Sequence, residues 1–395
     1  MIKSLLIDLD DTLLDTNMGE FLPAYFDRLA SHLSDLAPRE RLIACLLQAV
    51  QAMNGNLDPT RTLKSAFDEL FYPALGVTEA DVHQRVVAFY EKEFPTLRQL
   101  TRSKDEAPDF IRAAREAEYE LVLATNPLFP RSAITQRLDW AGVPAKASDF
   151  DLVTSYENAH FTKPNPEYYA EILGKLGRPC AEAVMIGDNQ EADLAPAVLL
   201  GMQAFHVTQT PNGGFPGGSL SAATTWLRQD DAADAYQESG PATPRQVLAR
   251  LRGYLAALLG LTDGIPQDEW NKRASTSEWS PVEIVCHLRD VELEVNHVRI
   301  EQILEQPSPF LSAADPDQWA GPRRYLDQNP QQALGRFVEA RVETISRLAA
   351  LDEEAWRLPA RHALFGPTTL TELVSLAADH DLVHLDQLHD ALAES

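Results

Sequence analysis

The sequence predicts an α/β domain built on a parallel sheet, a helical cap inserted after its first strand, and a separate all-α four-helix bundle. Three observations lead there. Short apolar runs at 2–9, 120–125, 183–186 and 203–207 alternate with helical stretches, as strands buried on both faces by crossover helices do. That alternation is suspended over 17–94, which carries helical spacing alone. From Thr243 onward the strand pattern disappears, and one helix-start signal recurs four times.

The run 2–9 is rich in Leu and Ile and leads into Asp8-Leu9-Asp10-Asp11-Thr12. Ligand crevices of open α/β sheets lie beyond the carboxyl ends of the strands, so Asp8 and Asp10 fall where chemistry is expected. Within 17–94, Leu42, Leu46, Val50 and Met53 recur at helical spacing, and Pro59, Pro73 and Gly76 punctuate the segment. Helical patterns follow at 108–117, 130–140, 166–176 and 191–200, with Gly201 a C-terminal cap for the last. The run 120–125 ends at Thr125-Asn126. Lys163 sits in Phe161-Thr162-Lys163-Pro164-Asn165-Pro166, just before a helix. The run 183–186 ends in Gly187-Asp188-Asn189, with Asp193 a little further on. Together these place a hydroxyl, an ammonium and several carboxylates at one sheet edge. Each also has a plainer reading. Asp188 suits a turn, Asp193 suits the first turn of a helix through the helix dipole, and Lys163 suits a solvated loop. Asp11 and Asp15 read as solvent or capping groups, and Thr12 as loop support.

Gly and Pro dominate 210–218, and the polar, acidic stretch 230–244 reads as a linker. The expected organisation is therefore a domain over 1–228 with its cap at about 17–94, a linker over 229–242, and a bundle over 243–395. The bundle's helix starts are Thr243-Pro244-Arg245-Gln246, Ser280-Pro281-Val282-Glu283, Asn329-Pro330-Gln331-Gln332 and Thr369-Leu370-Thr371-Glu372. Each has an N-cap residue with Glu or Gln three positions later, and three have Pro at the first helical position. An antiparallel bundle follows, with a longer crossover between the second and third helices. His380 and His384 are four apart on one helix face, and His287 lies among Val282, Val285 and Leu293 on another helix. Three imidazoles with an open position suit Zn²⁺, Ni²⁺ or Fe²⁺; a polar helix face is the alternative. His297 and His389 fit such a site less well, and Cys286 reads as packing.

Composition narrows the classes. A chain of 395 residues with 45% hydrophobic and 24% charged residues is long enough for two or three globular domains. No run reaches membrane-span length and the N-terminus lacks a secretory pattern, so the expected setting is cytoplasmic. Cys45, Cys180 and Cys286 suggest no disulfide framework. A net charge of −25 argues against a nucleic-acid partner. It leaves room for a small phosphorylated substrate at a local positive site. The sequence leaves a dimer open.

The ordered set of Asp8-x-Asp10, Thr125, Lys163 and Gly187-Asp188 resembles the haloacid dehalogenase superfamily, over residues 1 to about 227. The resemblance implies a Rossmann-like core with a C1-type helical cap. It also implies Asp8 as nucleophile and Asp10 as general acid and base. Thr125 and Lys163 then hold the phosphoryl group. Mg²⁺ is implied on the Asp8 carboxylate, the Asp10 carbonyl and the Asp188 carboxylate, with Asn126, Asn189 and Asp193 as secondary candidates. The dehalogenase branch lacks an aspartate at the second acidic position, so Asp10 points to the phosphatase branch; a phosphomutase is the runner-up, and a ligand sensor without turnover a third reading. Trp279-Ser280-Pro281 leading to His287, with the late His380-x-x-x-His384, resembles the DinB-like/YfiT bundles over about 243–393. That resemblance implies a divalent metal on His287, His380 and His384. Thiol transfer, hydrolysis or a purely interacting role remain open for the bundle.

Overall fold

The computed structural model describes residues 1–143, 150–211, 214–229, 242–273, 275 and 278–393. Residues 230–241 of the expected linker lie outside them. The chain forms two compact units. One comprises Met1–Tyr168 and Cys180–Glu238, the other Tyr169–Pro179 and Ser239–Ser395.

The strands of the first unit are β1 (Ser4–Ile7), β2 (Leu14–Thr16), β3 (Thr101–Ser103), β4 (Glu120–Leu123), β5 (Leu152–Val153), β6 (Ala183–Gly187), β7 (Gln203–Val207) and β8 (Gly217–Gly218). Six of them form one parallel sheet in the order β5-β4-β1-β6-β7-β8. Every residue of β1, β6 and β7 is buried, the signature of a sheet covered on both faces. The strand β1 lies centrally, with Ile7 opposite Leu123 on one side and Ile186 on the other. The residues that follow these three strands therefore emerge side by side.

The cap enters and leaves through β2 and β3, an antiparallel ribbon in which Leu14 faces Ser103 and Thr16 faces Thr101. Between them run α1 (Met18–His32), α2 (Arg39–Asn54), α3 (Leu63–Leu75) and α4 (Glu79–Ala88), then a π turn at Phe89–Glu93 and a 3₁₀ turn at Phe94–Leu100. Local chemistry starts these helices. Asn17 and Thr62 accept from backbone N–H groups two and three residues on, and Thr78 with Asp81 closes a capping box. Phe21, Tyr25, Phe89, Phe94, Phe129 and Trp140 pack at the foot of the cap, with Phe94 and Trp140 stacked at 5.3 Å. The helices α5 (Glu106–Glu116) and α6 (Arg131–Trp140) follow, then α7 (Pro166–Leu176), α8 (Ala195–Leu200) and α9 (Leu220–Leu227).

The second unit contains α10 (Pro244–Thr262), α11 (Pro281–Val291), α12 (His297–Glu305), α13 (Pro330–Ala349), α14 (Glu353–Trp356) and α15 (Leu370–Ala393). A π turn at Glu292–Asn296 joins α11 to α12. Thr243 and Ser280 close capping boxes with Gln246 and Glu283, Thr369 and Glu372 bond reciprocally, and Asn329 accepts from the Gln332 N–H. Segment 169–179 packs on α10 through small residues. A Cβ on Gly253 would lie 2.5 Å from the Ala170 Cβ, so only glycine permits this approach.

Strands do occur after Thr243, contrary to the sequence reading. β9 (Phe310–Leu311), β10 (Pro359–His362) and β11 (Gly366–Thr369) form a three-stranded sheet. These strands are too short for alternation to register, and Pro359 and Pro367 obscure them further. Among the described residues no helix is long and apolar enough to cross a membrane.

Candidate active site and metal centre

The register of the sheet builds the first site. The Asp8 N–H donates to the Ile186 carbonyl at 3.0 Å and the Ala124 N–H to the Ile7 carbonyl at 2.8 Å, so Asp8, Thr125 and Asp188 leave the same edge. Lys163, ahead of the loop into α7, donates from Nζ to Asp8 Oδ1 at 2.7 Å and to Asp193 Oδ1 at 2.6 Å. Asp8, Lys163 and Asp193 are all buried. Asp8, Asp188 and Asp193 each present an oxygen within 4.8 Å of the others. One ammonium thus pairs with two of three clustered carboxylates. Burial, opposed by Lys163, pushes Asp8 up to about 6. Burial, with the charges of Asp8 and Asp193, pushes Asp188 up to about 7. A compact set of carboxylate oxygens with surplus negative charge suits a hard divalent cation such as Mg²⁺.

Asp193, a secondary candidate in the sequence, lies at the site itself. It is a buried partner of Lys163 rather than a surface acid answering a helix dipole. Gly187 allows it there: a Cβ at 187 would lie 2.3 Å from Asp193 Oδ2. Asn189 caps the following turn, accepting from the Glu191 and Ala192 N–H groups. The Thr125 carbonyl accepts from Tyr168 at 2.8 Å and from Thr154 at 3.0 Å, which anchors that strand end. Asn126 Oδ1 is buried with no hydrogen-bond partner among the described residues. Thr12 does more than support its loop, because its hydroxyl donates to Asp188 Oδ1 at 3.4 Å. His206 Nε2 donates to the Asp188 carbonyl at 2.8 Å and so orients that strand end. The edge opens on a cavity of ≈ 800 Å³ that includes Asp11, Arg102, Lys104, Asp188 and His206 in its lining.

Asp10 departs from the trio. Its side chain accepts from Arg137 of α6, a residue sequence reasoning missed. A signal for it existed: Arg137 lies on the helix face of Ala133, Ile134, Leu138 and Ala141, all buried, where an arginine needs a partner.

In the second unit the three histidines converge. His287 Nε2 lies 3.0 Å from His380 Nε2, which lies 3.1 Å from His384 Nε2. Nitrogens ~2.1 Å from one ion sit ~3.0 Å apart at octahedral angles and ~3.4 Å apart at tetrahedral ones, so the spacing fits a shared metal. Burial, reinforced by His384 and His380, brings His287 down to about 2. Burial brings His380 and His384 to about 4. All three are therefore neutral near pH 7, the state in which an imidazole can ligate a metal. His384 Nδ1 pairs with Gln387 Oε1 at 2.8 Å, the outer bond that fixes a ligand's ring. Trp279 stacks on His384 at 5.6 Å, and Asp317 Oδ1 lies 3.9 Å from His287 Nε2.

A buried ion network adjoins the histidines on α15. Arg341 Nη2 donates to Glu292 Oε2 at 2.8 Å and Arg341 also pairs with Asp381, the residue after His380. The π turn rotates Glu292 inward for this contact. His297 bonds Thr344 Oγ1 at 2.8 Å and belongs to this network, away from the triad. Burial pushes the Cys286 thiol up to about 11, which suits packing rather than reactivity.

The family model described as haloacid dehalogenase-like hydrolase matches residues 2–201, and the one described as DinB superfamily matches residues 248–388. The chain is 26% identical over 193 residues to pyrophosphatase PpaX of Bacillus velezensis, covering 48% of this chain and 75% of that protein. It is 23% identical over 188 residues to pyrophosphatase PpaX of Halalkalibacterium halodurans, with 48% and 75% covered. Among solved structures, a HAD phosphatase from Thermococcus onnurineus is 19% identical, covering 57% of this chain and 98% of that one at a TM-score of 0.38. YfiT from Bacillus subtilis, a four-helix bundle of unusual topology, is 16% identical, covering 40% and 89% at a TM-score of 0.36.

Proposed function

The chain belongs to the haloacid dehalogenase-like hydrolase family, and on that premise we propose that its first unit is a Mg²⁺-dependent phosphohydrolase working through an aspartyl-phosphate on Asp8. The observation that carries this reading is the meeting of Asp8, Lys163, Asp188 and Asp193 at one sheet edge. An Asp8 oxygen attacks phosphorus in line with the leaving oxygen. Lys163 offsets the charge of Asp8 and of the incoming phosphoryl group. The Thr125 hydroxyl and neighbouring backbone N–H groups hold phosphoryl oxygens. Asp10 serves proton transfer to the leaving oxygen and from the attacking water. Asp8, Asp188 and the Asp10 carbonyl would hold Mg²⁺, which would supply charge neutralisation between carboxylate and phosphate. The cap excludes water and selects the small phosphorylated substrate.

The test is a hydrolysis screen of phosphorylated metabolites with Mg²⁺ and with EDTA, using the full chain and Asp8→Asn. The relatives' name brings inorganic pyrophosphate into that screen. Hydrolysis that needs Mg²⁺ and Asp8 is expected. Turnover by a folded Asp8→Asn protein would refute the covalent route.

For the second unit we infer one divalent ion on His287, His380 and His384, supported by the converging Nε2 atoms. Elemental analysis of the full chain, compared with the His380→Ala, His384→Ala double variant, tests it. Equal metal content in both would overturn the assignment.

A further inference from the structure

The crossover between α12 and α13 carries a 3₁₀ turn at Pro316–Trp319, and this turn brings a carboxylate to the histidine triad. Asp317 Oδ1 lies 3.9 Å from His287 Nε2, and its charge also reaches His384 on α15. That distance is too long for a hydrogen bond. No lysine or arginine pairs with Asp317 among the described residues, and its side chain is 72% exposed. Its neighbours hold it in place. The Arg323 guanidinium lies 3.8 Å over the Trp319 ring, and Arg323 donates at 2.6 Å to Asp290 Oδ2 on α11, one turn beyond His287. Tyr325 donates to the same Asp290 oxygen at 2.9 Å. Upstream, Arg299 of α12 donates to the Ser312 carbonyl at 3.0 Å. The turn is thus fastened on both flanks, and the place of Asp317 beside His287 follows from that packing.

We propose that Asp317 is a fourth protein ligand of the ion on His287, His380 and His384, so that the ion fastens the crossover to α11 and α15. The inference rests on the reading that the triad holds a divalent ion. Two donor atoms each ~2.1 Å from one ion lie ~3.0 Å apart when adjacent in an octahedron and ~4.2 Å apart when opposite. The histidine nitrogens show the short spacing, 3.0 and 3.1 Å, and the 3.9 Å from Asp317 to His287 falls inside the same range. A carboxylate adds a hard, anionic donor to three imidazoles. It takes one unit from the net positive charge of ion and ligands, and it leaves fewer positions for water or a substrate. Asp317 comes from a connection, whereas the histidines come from helices. Binding of the ion and ordering of the crossover are therefore linked, and whatever strengthens one strengthens the other.

The test is Ni²⁺ titration of the full chain, stripped with EDTA, against a competing chelator of known affinity. Ni²⁺ bound by the His380→Ala, His384→Ala double variant is subtracted as the share of other sites. Hydrogen exchange of the 312–324 amides, with and without Ni²⁺, reads the crossover. Asp317→Ala should weaken the triad's Ni²⁺ binding by at least about 10-fold, the scale on which even the outer partners of metal ligands act. It should also remove the protection that Ni²⁺ gives the crossover. Asp317→Asn should do the same, because its amide oxygen is neutral. Asp315→Asn removes an equal charge from the start of the same turn and should leave both readouts at wild type. Wild-type affinity and protection in Asp317→Ala would overturn the role of Asp317 and leave the triad's ion standing. An equal loss in Asp315→Asn would also overturn it, since net charge alone would then account for the effect. A wild type that binds no more Ni²⁺ than the double histidine variant would overturn the triad reading itself.

Discussion

Replacing Lys163 by Met removes the ammonium that pairs with Asp8 and Asp193 inside a cluster of three carboxylates. Two unit charges 4.8 Å apart repel by on the order of 3 kcal/mol at an effective dielectric of about 20. At 2.7 and 2.6 Å, Lys163 attracts Asp8 and Asp193 by on the order of 6 kcal/mol each on the same scale. Desolvation cancels much of that gross figure, and breaking a buried pair from one side typically costs about 3–5 kcal/mol. The variant has an escape, which is to take up protons. Asp8 at about 6 and Asp188 at about 7 already sit above the usual carboxylate range, and losing Lys163 drives Asp8 higher. A folded state that holds protons the unfolded state has released loses stability as pH rises. The cost of Lys163→Met should therefore be small at pH 5 and reach about 3–5 kcal/mol at pH 8, with Mg²⁺ recovering part of it. Hydrogen exchange of the β1 and β6 amides measures it locally, free of assumptions about two-unit unfolding. A penalty equal at both pH values, or one indifferent to Mg²⁺, would refute this account of the carboxylate cluster.

Three further outcomes are expected. In the wild type without metal, the raised Asp8 and Asp188 bind protons in the folded state up to about pH 6–7, so stability falls as pH climbs through that range; Mg²⁺ should raise the first unit's melting temperature more at pH 8 than at pH 5. The histidines have the opposite sign, with folded values of about 2, 4 and 4 below the unfolded value of ~6.5. Their contribution is present above pH 6.5 and lost as pH falls toward 4, and bound Ni²⁺ should leave over the same window, read as recovery of Trp279 fluorescence against a Trp279→Phe control. Arg341→Met strands Glu292 and Asp381 and should destabilise the second unit by about 3–5 kcal/mol in urea unfolding, with Glu292→Gln and Asp381→Asn together restoring much of it.

The parts of the fold that were legible in the sequence are those set by local rules. Strands buried on both faces read as apolar runs, and capped helices announced themselves at Thr243, Ser280, Asn329 and Thr369. Asp8, Lys163 and Asp188 were legible because each sits at a strand end or a helix start, where topology alone brings them together. Arg137 was not, because its partner lies 127 positions away and no local spacing records the pair. Asp193 ranked only as a secondary candidate because a first-turn position favours acids for its own reasons. What distinguishes it is the missing Cβ of Gly187, a steric fact visible only across the turn. The hairpin at Pro359–Thr369 fell below the length at which period two can be told from chance.

The ribbon of β2 and β3 has an evolutionary consequence. Strands paired residue for residue lie about 5 Å apart, so the chain leaves the sheet-bearing core and returns to it at nearly one point. A two-residue hairpin turn could close the same gap. The intervening helices are in this sense a cassette: exchanging them wholesale leaves every strand of the parallel sheet and its register intact. Closure entropy grows only with the logarithm of loop length, so cassettes of very different size cost the core about the same. In this chain the cassette also reaches past its own ribbon, because Phe21 lies over Arg137 of α6.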